Sequence, residues 1–406
     1  MKQFQEKKIP ASPQEGEKPG IERKKHRLLK SKAVRTRKIV RMKSGIDRPF
    51  LIIVILLLCI GTAMVFSSSY AYAKYYMEGD SYFFIRKQIV FVAVSLFVMF
   101  VAANIDYLLI KRFSIVVLIV ALVSLVAVLF IGKRVNGAVR WIDLGPFQLQ
   151  PSEIAKIACV LFYSDYIVKH MRDMKKFKVG VLPFLLVFGA VGVLLVLEPH
   201  LSATIIILLL TGAMMFLGGT RKLYMGLLGG LGIAGMGLVV WLSDHGRERI
   251  MSWLHPENDI AGDGWQPLQS LYAIGSGGIW GKGLGQSTQK HLWLPEPQND
   301  YIFAIVCEEM GFVFAAAVIV LFVVLVWRGF YIAKHSPTKY TTLVVLGLTL
   351  QLAIQVILNI AVVTNSIPST GVSLPFFSYG GTALIVLMGE MGIILNISRY
   401  SLMEKG

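Results

Sequence analysis

The chain has 406 residues, of which 55% are hydrophobic and only 16% are charged, and its mean hydropathy is +0.63. A water-soluble domain of this length cannot bury so much apolar sequence, so the composition excludes that class and predicts a membrane-spanning protein. The formal net charge is +17, and residues 1–48 alone carry 16 basic and 5 acidic side chains. Most of the positive charge therefore lies in one terminal segment.

That basic segment, residues 1–48, also contains Pro, Gly and Glu at intervals. Such a composition predicts a disordered cytoplasmic tail that is attracted to the anionic inner leaflet of the membrane. Aromatic residues do not alternate with the basic ones, as they do in many nucleic-acid-binding segments. The sequence therefore predicts a membrane surface as the partner of this tail, and no nucleic acid.

Ten runs of mainly apolar residues follow the tail, each long enough to cross about 30 Å of hydrocarbon as a helix. They occupy residues 50–69, 83–104, 112–131, 151–168, 179–197, 201–219, 223–242, 301–327, 341–364 and 376–397. The predicted fold is an all-α polytopic membrane protein with about ten transmembrane helices.

The distribution of Lys and Arg predicts the orientation of these helices, because basic residues concentrate in cytoplasmic connections. Residues 1–48 and the connections expected on the same side hold 30 of the 41 basic residues, whereas the opposite side holds ten. Both termini are therefore expected in the cytoplasm, with a transmembrane domain at 49–400 and a short tail at 401–406. The long segment 243–299, between the seventh and eighth helices, becomes a large extracytoplasmic loop.

The three cysteines, Cys59, Cys159 and Cys307, all fall within predicted spans. They form no disulfide framework and no zinc-binding spacing, so we interpret them as packing residues. The seven histidines show no HxxxH or HExxH pairing. The sequence therefore indicates no metal held by the protein alone.

Four acidic residues mark the start of the eighth span, in the segment LPEPQNDYIFAIVCEE at 294–309. Glu296 and Asp300 lie at its rim, and Glu308 and Glu309 lie two to three turns deeper. Carboxylates are costly at this depth and by default indicate a functional site with a partner. Asp300 could instead serve as a helix N-cap, a role for which Asp is well suited.

A second polar group opens the fourth span, where Gln150, Ser152 and Glu153 precede Lys156. Glu153 and Lys156 are three residues apart and share one helix face. They could form a local ion pair that neutralises two costly charges, or they could contribute to a functional site. The spacing leaves both interpretations open.

Three further groups fall on the predicted outer side. Arg140 and Trp141 lie in the loop 132–150, Glu198 and His200 lie in a short connection, and Ser378 lies where Pro and Gly interrupt the tenth span. Trp141 could belong to an interfacial aromatic belt or provide a platform for sugar rings.

Together these groups predict a polar cavity that opens outward. A carboxylate there can accept a proton from an attacking sugar hydroxyl. Basic groups or a bound cation can stabilise a departing phosphate. Residue types and spacing alone do not separate an enzyme from a transporter.

Five motifs in this chain resemble the SEDS family (shape, elongation, division and sporulation), and the LPEPQND segment is closer to the FtsW/SpoVE branch than to RodA. They are NGAVRWI (136–142), QPSEIAK (150–156), GDGWQPLQSLYAIGSGG (262–278), LPEPQNDYIFAIVCEE (294–309) and IPSTGVSLPFFSYGG (367–381). The resemblance covers roughly residues 46–400.

This resemblance implies a peptidoglycan glycosyltransferase that polymerises lipid II at the outer face of the bacterial cytoplasmic membrane, for cell division or sporulation septum synthesis, and releases undecaprenyl pyrophosphate. By motif position, Asp300 is the expected general base. The expected substrate-binding residues are Arg140, Trp141, Glu153, Lys156, Glu296 and Ser378. The expected supporting residues are Gln150, Ser152, His200, Glu308 and Glu309.

The resemblance also implies partners: lipid II, a class B penicillin-binding protein that crosslinks the strands, and other proteins of the division or elongation machinery. No cofactor motif is present, although a divalent cation, Mg²⁺ or Mn²⁺, could take part. Two alternatives stay open, a lipid II flippase, which needs access from both sides, and a non-catalytic scaffold, which would tolerate loss of the carboxylate.

The chain departs from the family pattern at His200, because many members carry Asp after the Pro of this connection. Histidine titrates near neutrality. The replacement is therefore expected to alter cation binding or the pH dependence of activity.

Overall fold

The computed structural model describes residues 45–135, 138–143, 145, 148–242, 244–258, 262 and 264–400. The predicted tail 401–406, and all but the last residues of the predicted tail 1–48, lie outside the described residues.

Within these ranges the chain is mainly helical, and we number the helices in chain order. They are α1 (Arg48–Tyr76), α2 (Phe83–Asn104), α3 (Tyr107–Arg112), α4 (Ser114–Ile131), α5 (Pro151–His170), α6 (Phe177–Gly180), α7 (Leu182–Leu197), α8 (Leu201–Leu217), α9 (Lys222–Leu242), α10 (Asp244–Leu254), α11 (Trp265–Gly277), α12 (Ile302–Lys334), α13 (Lys339–Val363) and α14 (Gly381–Ser398). Every predicted apolar run coincides with a helix. The described part of the long segment 243–299 carries two short α-helices and a 3₁₀-helix (Pro256–Asn258).

Seven of these helical segments, among the residues described, are long and apolar enough to cross a bilayer. They are α1, α2, α4, the α6–α7 pair, α12, α13 and α14. Helix α8 is apolar but shorter, with 17 residues. The chain is thus a polytopic, mainly α-helical membrane protein.

The N-terminus of α1 is fixed by Asp47. Its carboxylate caps the helix by accepting from the Phe50 N–H at 3.0 Å, and it also accepts three hydrogen bonds from the guanidinium of Arg328 near the C-terminal end of α12. A cap of this kind contributes about 1 kcal/mol. The same carboxylate therefore starts one helix and ties it to another.

The loop 132–150 contains a small antiparallel sheet, which the predicted all-α fold did not include. Strands β1 (Lys133–Val135), β2 (Ala138–Asp143) and β3 (Gln148–Leu149) lie in the order β1-β2-β3. Gly, Asn and Pro flank the short strand-forming run of β2, and because these residues are typical of turns the run was not predicted as a strand. Strand β2 carries Arg140 and Trp141, two of the predicted site residues.

Helix α12 is interrupted at Gly311, whose φ of 76° and ψ of 178° are not helical. The backbone that follows α11 fills this break: Lys282 N–H donates to Glu308 O at 2.9 Å, and a Cβ on Gly281 would lie only 2.3 Å from Glu309 O. The inserted backbone satisfies carbonyls that the break would leave unpaired. The glycines of this stretch thus permit a close approach of two backbone segments.

Helix α13 carries a stripe of three polar side chains, spaced four residues apart, that is buried against other helices. Gln351, Gln355 and Asn359 are 3%, 8% and 0% exposed. Helix α14 packs along α2, and together with α5 and α13 these helices surround the cavity described next.

Candidate functional site

A cavity of about 670 Å³ lies among helices α2, α5, α8, α13 and α14 and reaches the sheet strands β2 and β3. Its size is typical of a site for a small molecule or a polar headgroup. Charged and amide side chains from distant parts of the chain line it: Lys87, Arg140, Asp143, Gln148, Gln150, Glu153, Lys156, Glu296, Asn299, Asp300, Gln351, Gln355 and Glu390. We call it the central cavity.

Most of the residues predicted from the sequence meet in the central cavity, and three do not. Those that line it are Gln150, Arg140, Trp141, Glu153, Lys156, His200, Glu296, Asp300 and Ser378. Ser152 is buried in α5 outside the lining, and Glu308 and Glu309 lie in a separate polar cluster.

Asp300 precedes α12 and does not cap it. The helix begins at Ile302, its N-cap position is Tyr301, and no side chain makes the capping hydrogen bond. The capping interpretation is therefore wrong. Instead, the backbone of Asp300 is fixed by Asn359, whose side-chain amide donates to Asp300 O at 2.7 Å and to Val372 O at 2.6 Å.

The carboxyl group of Asp300 is a stronger base than a solvent-exposed aspartate. Burial and the nearby Glu296 carboxylate raise its pKa to about 6, against the opposing effect of the Arg140 guanidinium. Such a group is mostly ionised at neutral pH and can still accept a proton effectively. The arrangement suits a general base.

The turn before Asp300 is held in a strained conformation at Glu296, which has a φ of 43°. The Asn299 side-chain amide donates to Glu296 Oε2 at 2.7 Å, and its backbone N–H donates to Glu296 O at 3.0 Å. Ser378 Oγ donates to Asn299 O at 3.0 Å. Ser378 therefore both lines the cavity and fixes the segment that carries Asp300.

Glu153 and Lys156 form the ion pair that their spacing predicted. Lys156 Nζ lies 2.9 Å from Glu153 Oε2 and donates to Gln355 Oε1 at 3.1 Å. The Lys156 residue is 1% exposed, so its ammonium group depends on these partners. The pair also lines the cavity. Its position therefore fits both a structural role and a ligand-binding role.

Glu390 in α14 is a cavity residue that the sequence analysis did not select. It is 1% exposed, and its Oε1 accepts from Gln351 Nε2 at 2.6 Å. It also interacts electrostatically with Lys156 and Glu153. The sequence did contain a signal for this residue: a carboxylate inside an apolar span usually indicates a functional site.

Arg140 joins the sheet to the connection between α7 and α8. Its guanidinium donates to Pro199 O and interacts electrostatically with Asp300 and Glu198. Burial raises the pKa of Glu198 to about 8, although Arg140 opposes the shift. A positive group therefore stands beside the candidate base.

His200 lines the cavity but does not titrate near neutrality, contrary to the expectation from its usual pKa. Burial, followed by the charges of Arg140 and Lys156, lowers its pKa to about 3. The imidazole is therefore neutral across the physiological range.

Glu308 and Glu309 anchor the loop that follows α11. Glu308 Oε1 lies 2.6 Å from Lys282 Nζ, and Glu309 Oε1 lies 2.8 Å from Lys290 Nζ. Glu309 also accepts from Ser67 Oγ of α1 at 2.5 Å. Both carboxylates are fully buried and do not line the central cavity. Their contacts with Ser67, Lys282 and Lys290 join α1, α12 and the loop.

Among the described residues, no group of three or more His, Cys, Asp and Glu side chains could hold a metal ion.

Comparison with known proteins gives matches over nearly all of the described chain. The family model of the cell cycle proteins FtsW/RodA/SpoVE matches residues 48–402. Stage V sporulation protein E of Bacillus subtilis (strain 168) is 39% identical over 361 residues, which are 88% of this chain and 98% of the relative. A probable peptidoglycan glycosyltransferase FtsW of Trichlorobacter lovleyi is 38% identical over 358 residues, 87% of this chain and 93% of the relative.

One solved structure comes from a peptidoglycan synthase complex that coordinates polymerization and crosslinking. It is 25% identical, with a TM-score of 0.72, and the match covers 87% of this chain and 98% of that one. The similarity therefore extends to the arrangement of helices around the central cavity.

Proposed function

We propose, because this chain belongs to the FtsW/RodA/SpoVE family of cell cycle proteins, that it is a peptidoglycan glycosyltransferase. The chain is a multi-pass protein of the cytoplasmic membrane. It polymerises lipid II into glycan strands at the outer face of that membrane, for cell division or for the sporulation septum.

The observation that carries this proposal is that Asp300 lines the central cavity together with Arg140 and the Glu153–Lys156 pair. The 4-hydroxyl of one disaccharide attacks the anomeric carbon of another while Asp300 accepts the hydroxyl proton. The new C–O bond forms as the bond to the pyrophosphate breaks, and undecaprenyl pyrophosphate leaves with the electron pair. A positioned general base typically contributes about 10²–10⁴-fold to the rate.

Arg140 and Lys156 supply the positive charge that the departing pyrophosphate requires. Trp141 and Glu296 line the same cavity and would contact the sugar rings. We further propose that a divalent cation, Mg²⁺ or Mn²⁺, takes part: carboxylates that line the central cavity would help to hold it, and it would supply positive charge to the leaving group.

The membrane topology that fits this function has ten crossings with both termini in the cytoplasm. Ten apolar runs coincide with helices, and the Lys and Arg bias is consistent with this orientation. The segment 243–299 then lies outside the cell, and Asp300 stands at the outer rim of α12. The base is thereby available to a substrate in the outer leaflet.

For partners, we propose a class B penicillin-binding protein and further division or elongation proteins. The support is the similar solved structure, which belongs to a complex that couples polymerization to crosslinking. A glycan strand needs such crosslinking to become cell wall.

The decisive experiment measures glycan chain formation from purified lipid II, with the penicillin-binding partner supplied, in the presence and absence of Mg²⁺ or Mn²⁺. Asp300→Ala is expected to abolish polymerisation at unchanged protein level. Asp143→Ala is the matched control: Asp143 also lines the cavity, but its carboxylate is exposed and lies 3.7 Å from Lys133 Nζ and 3.0 Å from the Gly145 N–H nitrogen. Full polymerisation by Asp300→Ala would contradict the general-base assignment and leave the flippase and scaffold alternatives.

A further inference from the structure

A second, smaller cavity of about 230 Å³ lies on the far side of the turn that precedes Asp300. Its lining includes Ser252, Trp253, Trp265, Gln266, Pro295 and Ser369. We call it the tryptophan pocket. Its volume is below the range of roughly 300–1,000 Å³ that is usual for drug-sized ligands, so it suits a group the size of one ring.

The two indole rings of the tryptophan pocket are fixed by their N–H groups. Trp253 Nε1 donates to Asn365 O at 2.9 Å, and Trp265 Nε1 donates to Trp293 O at 2.9 Å. Because both donors are engaged by the backbone, the rings offer the pocket only their carbon surfaces. They are rigid aromatic faces, ordered before any ligand arrives.

The lining of the pocket carries no Asp, Glu, Lys or Arg among the residues that the structure describes. An anionic ligand such as a phosphate would find no opposite charge there. The polar groups are the hydroxyls of Ser252 and Ser369 and the amide of Gln266. Neutral polar groups beside aromatic faces fit a sugar ring, whose C–H groups pack on the electron-rich face while its hydroxyls form hydrogen bonds.

The tryptophan pocket shares its walls with the central cavity. Pro295 lines the pocket, and the next residue, Glu296, lines the central cavity. Likewise, Ser369 lines the pocket and Gly371 lines the central cavity. Gln266 Nε2 also donates to Pro295 O at 3.3 Å. The turn around Glu296 and the segment around Ser369 therefore carry residues of both sites.

We propose that the tryptophan pocket is a second carbohydrate-binding site, which holds one neutral hexosamine ring of the glycan strand beyond the site of bond formation. This inference rests on the proposed function, because the strand is that function's product. By retaining the strand between additions, the pocket favours repeated addition over release. It therefore sets strand length.

The first test measures binding of chitotetraose, a soluble β-1,4-linked N-acetylglucosamine oligomer, to the full chain in lipid nanodiscs by ligand-observed NMR. Trp265→Leu removes the aromatic face and is expected to weaken binding by about tenfold. Trp265→Phe loses the same N–H donor but keeps an aromatic face, so it should retain most of the affinity. Unchanged affinity in Trp265→Leu, or no binding by the wild-type chain, would overturn the proposal.

Two controls separate the pocket from other effects. Trp280→Leu alters an exposed tryptophan that lines neither cavity and should leave chitotetraose affinity within about twofold of wild type. Gly262→Tyr keeps both tryptophans and adds a ring at an exposed position of the pocket lining, so it should block binding even if Trp265→Leu fails to fold. Wild-type affinity in Gly262→Tyr would contradict the site.

A second readout is the length distribution of strands made from lipid II. Trp265→Leu is expected to shorten the mean strand at least twofold relative to Trp265→Phe. If the wild-type chain makes no polymer, the proposed function fails, whereas chitotetraose binding still tests the pocket. If the wild type polymerises and both readouts are unchanged in Trp265→Leu, only the pocket inference fails.

Discussion

The Oδ2 atom of Asp300 lies 3.1 Å from the point that a Cβ would occupy on Gly371. Gly371 has a φ of 66°, in the left-handed region that side chains disfavour by about 1–2 kcal/mol. The segment between α13 and α14 thus approaches the candidate base through a position without a side chain. This close approach helps to define where the carboxylate stands.

Gly371→Ala is therefore expected to lower polymerisation at least tenfold, because displacement of a catalytic group by about 1 Å can cost 10²-fold. The measurement is the initial rate of strand formation at matched protein levels. Gly380→Ala is the control: Gly380 also lines the cavity, has an extended φ of 176°, and its Cβ would find ordinary van der Waals space 3.7 Å from Ala383. Equal losses in both variants would show that Gly371 has no special relation to the base.

The pH dependence of activity should follow the ionisation of Asp300. Because its pKa is raised to about 6, the carboxylate is protonated as the pH falls through that value, and the rate should fall with it. Glu296→Gln removes a charge that raises this pKa, so the midpoint of the acid limb should move to lower pH. Arg140→Gln removes a charge that lowers it, so the midpoint should move to higher pH.

The control for these shifts is His200→Gln, which should leave the midpoint in place because His200 is neutral throughout this range. The measurement is kcat/KM for lipid II between pH 5 and pH 8. An acid limb that follows His200, and not Glu296 or Arg140, would contradict the assignment of Asp300.

Two buried ion pairs near the break in α12 predict unequal effects on stability. Lys290 is 2% exposed, and its removal in Lys290→Met leaves the buried Glu309 charge without its cation and with hydrogen bonds from Ser67 Oγ and the Ser287 N–H, which should cost about 3–5 kcal/mol. Lys282 is more exposed, and Glu308 keeps hydrogen bonds from the loop backbone, so Lys282→Met should cost less.

Thermal unfolding of the purified variants checks this order. The double variant Lys290→Met with Glu309→Gln should recover much of the loss, because no charge is then left buried without a partner. An unfolding temperature for Lys290→Met equal to that of wild type would show that Glu309 does not depend on this lysine.

The sequence predicted the central cavity better than the features around it. Asp300 and the Glu153–Lys156 pair could be placed because ionisable groups within or at the rim of apolar spans are costly, and because a spacing of three puts two residues on one helix face. Glu390 met the same criterion but stood alone in the last span, without a neighbouring polar residue to draw attention to it.

The partners of Glu308 and Glu309 were beyond sequence reasoning. Lys282 and Lys290 lie in a glycine-rich loop, and nothing in their spacing indicates that this loop enters the break in α12. Depth in the span correctly marked both carboxylates as residues that need partners. Depth alone could not show whether the partners of these carboxylates come from a cavity or from a loop, because the position of the partners depends on tertiary packing.

The last prediction separates the structural and substrate-binding roles of the Glu153–Lys156 pair. Lys156→Met leaves Glu153 and Glu390 without the positive charge beside them, so it should lower both stability and activity. The double variant Glu153→Gln with Lys156→Met removes one charge of each sign and should restore much of the unfolding temperature. Polymerisation should stay at least tenfold below wild type, because the ammonium group near the pyrophosphate is still absent. If activity returned together with stability, the pair would serve only to neutralise its own charges.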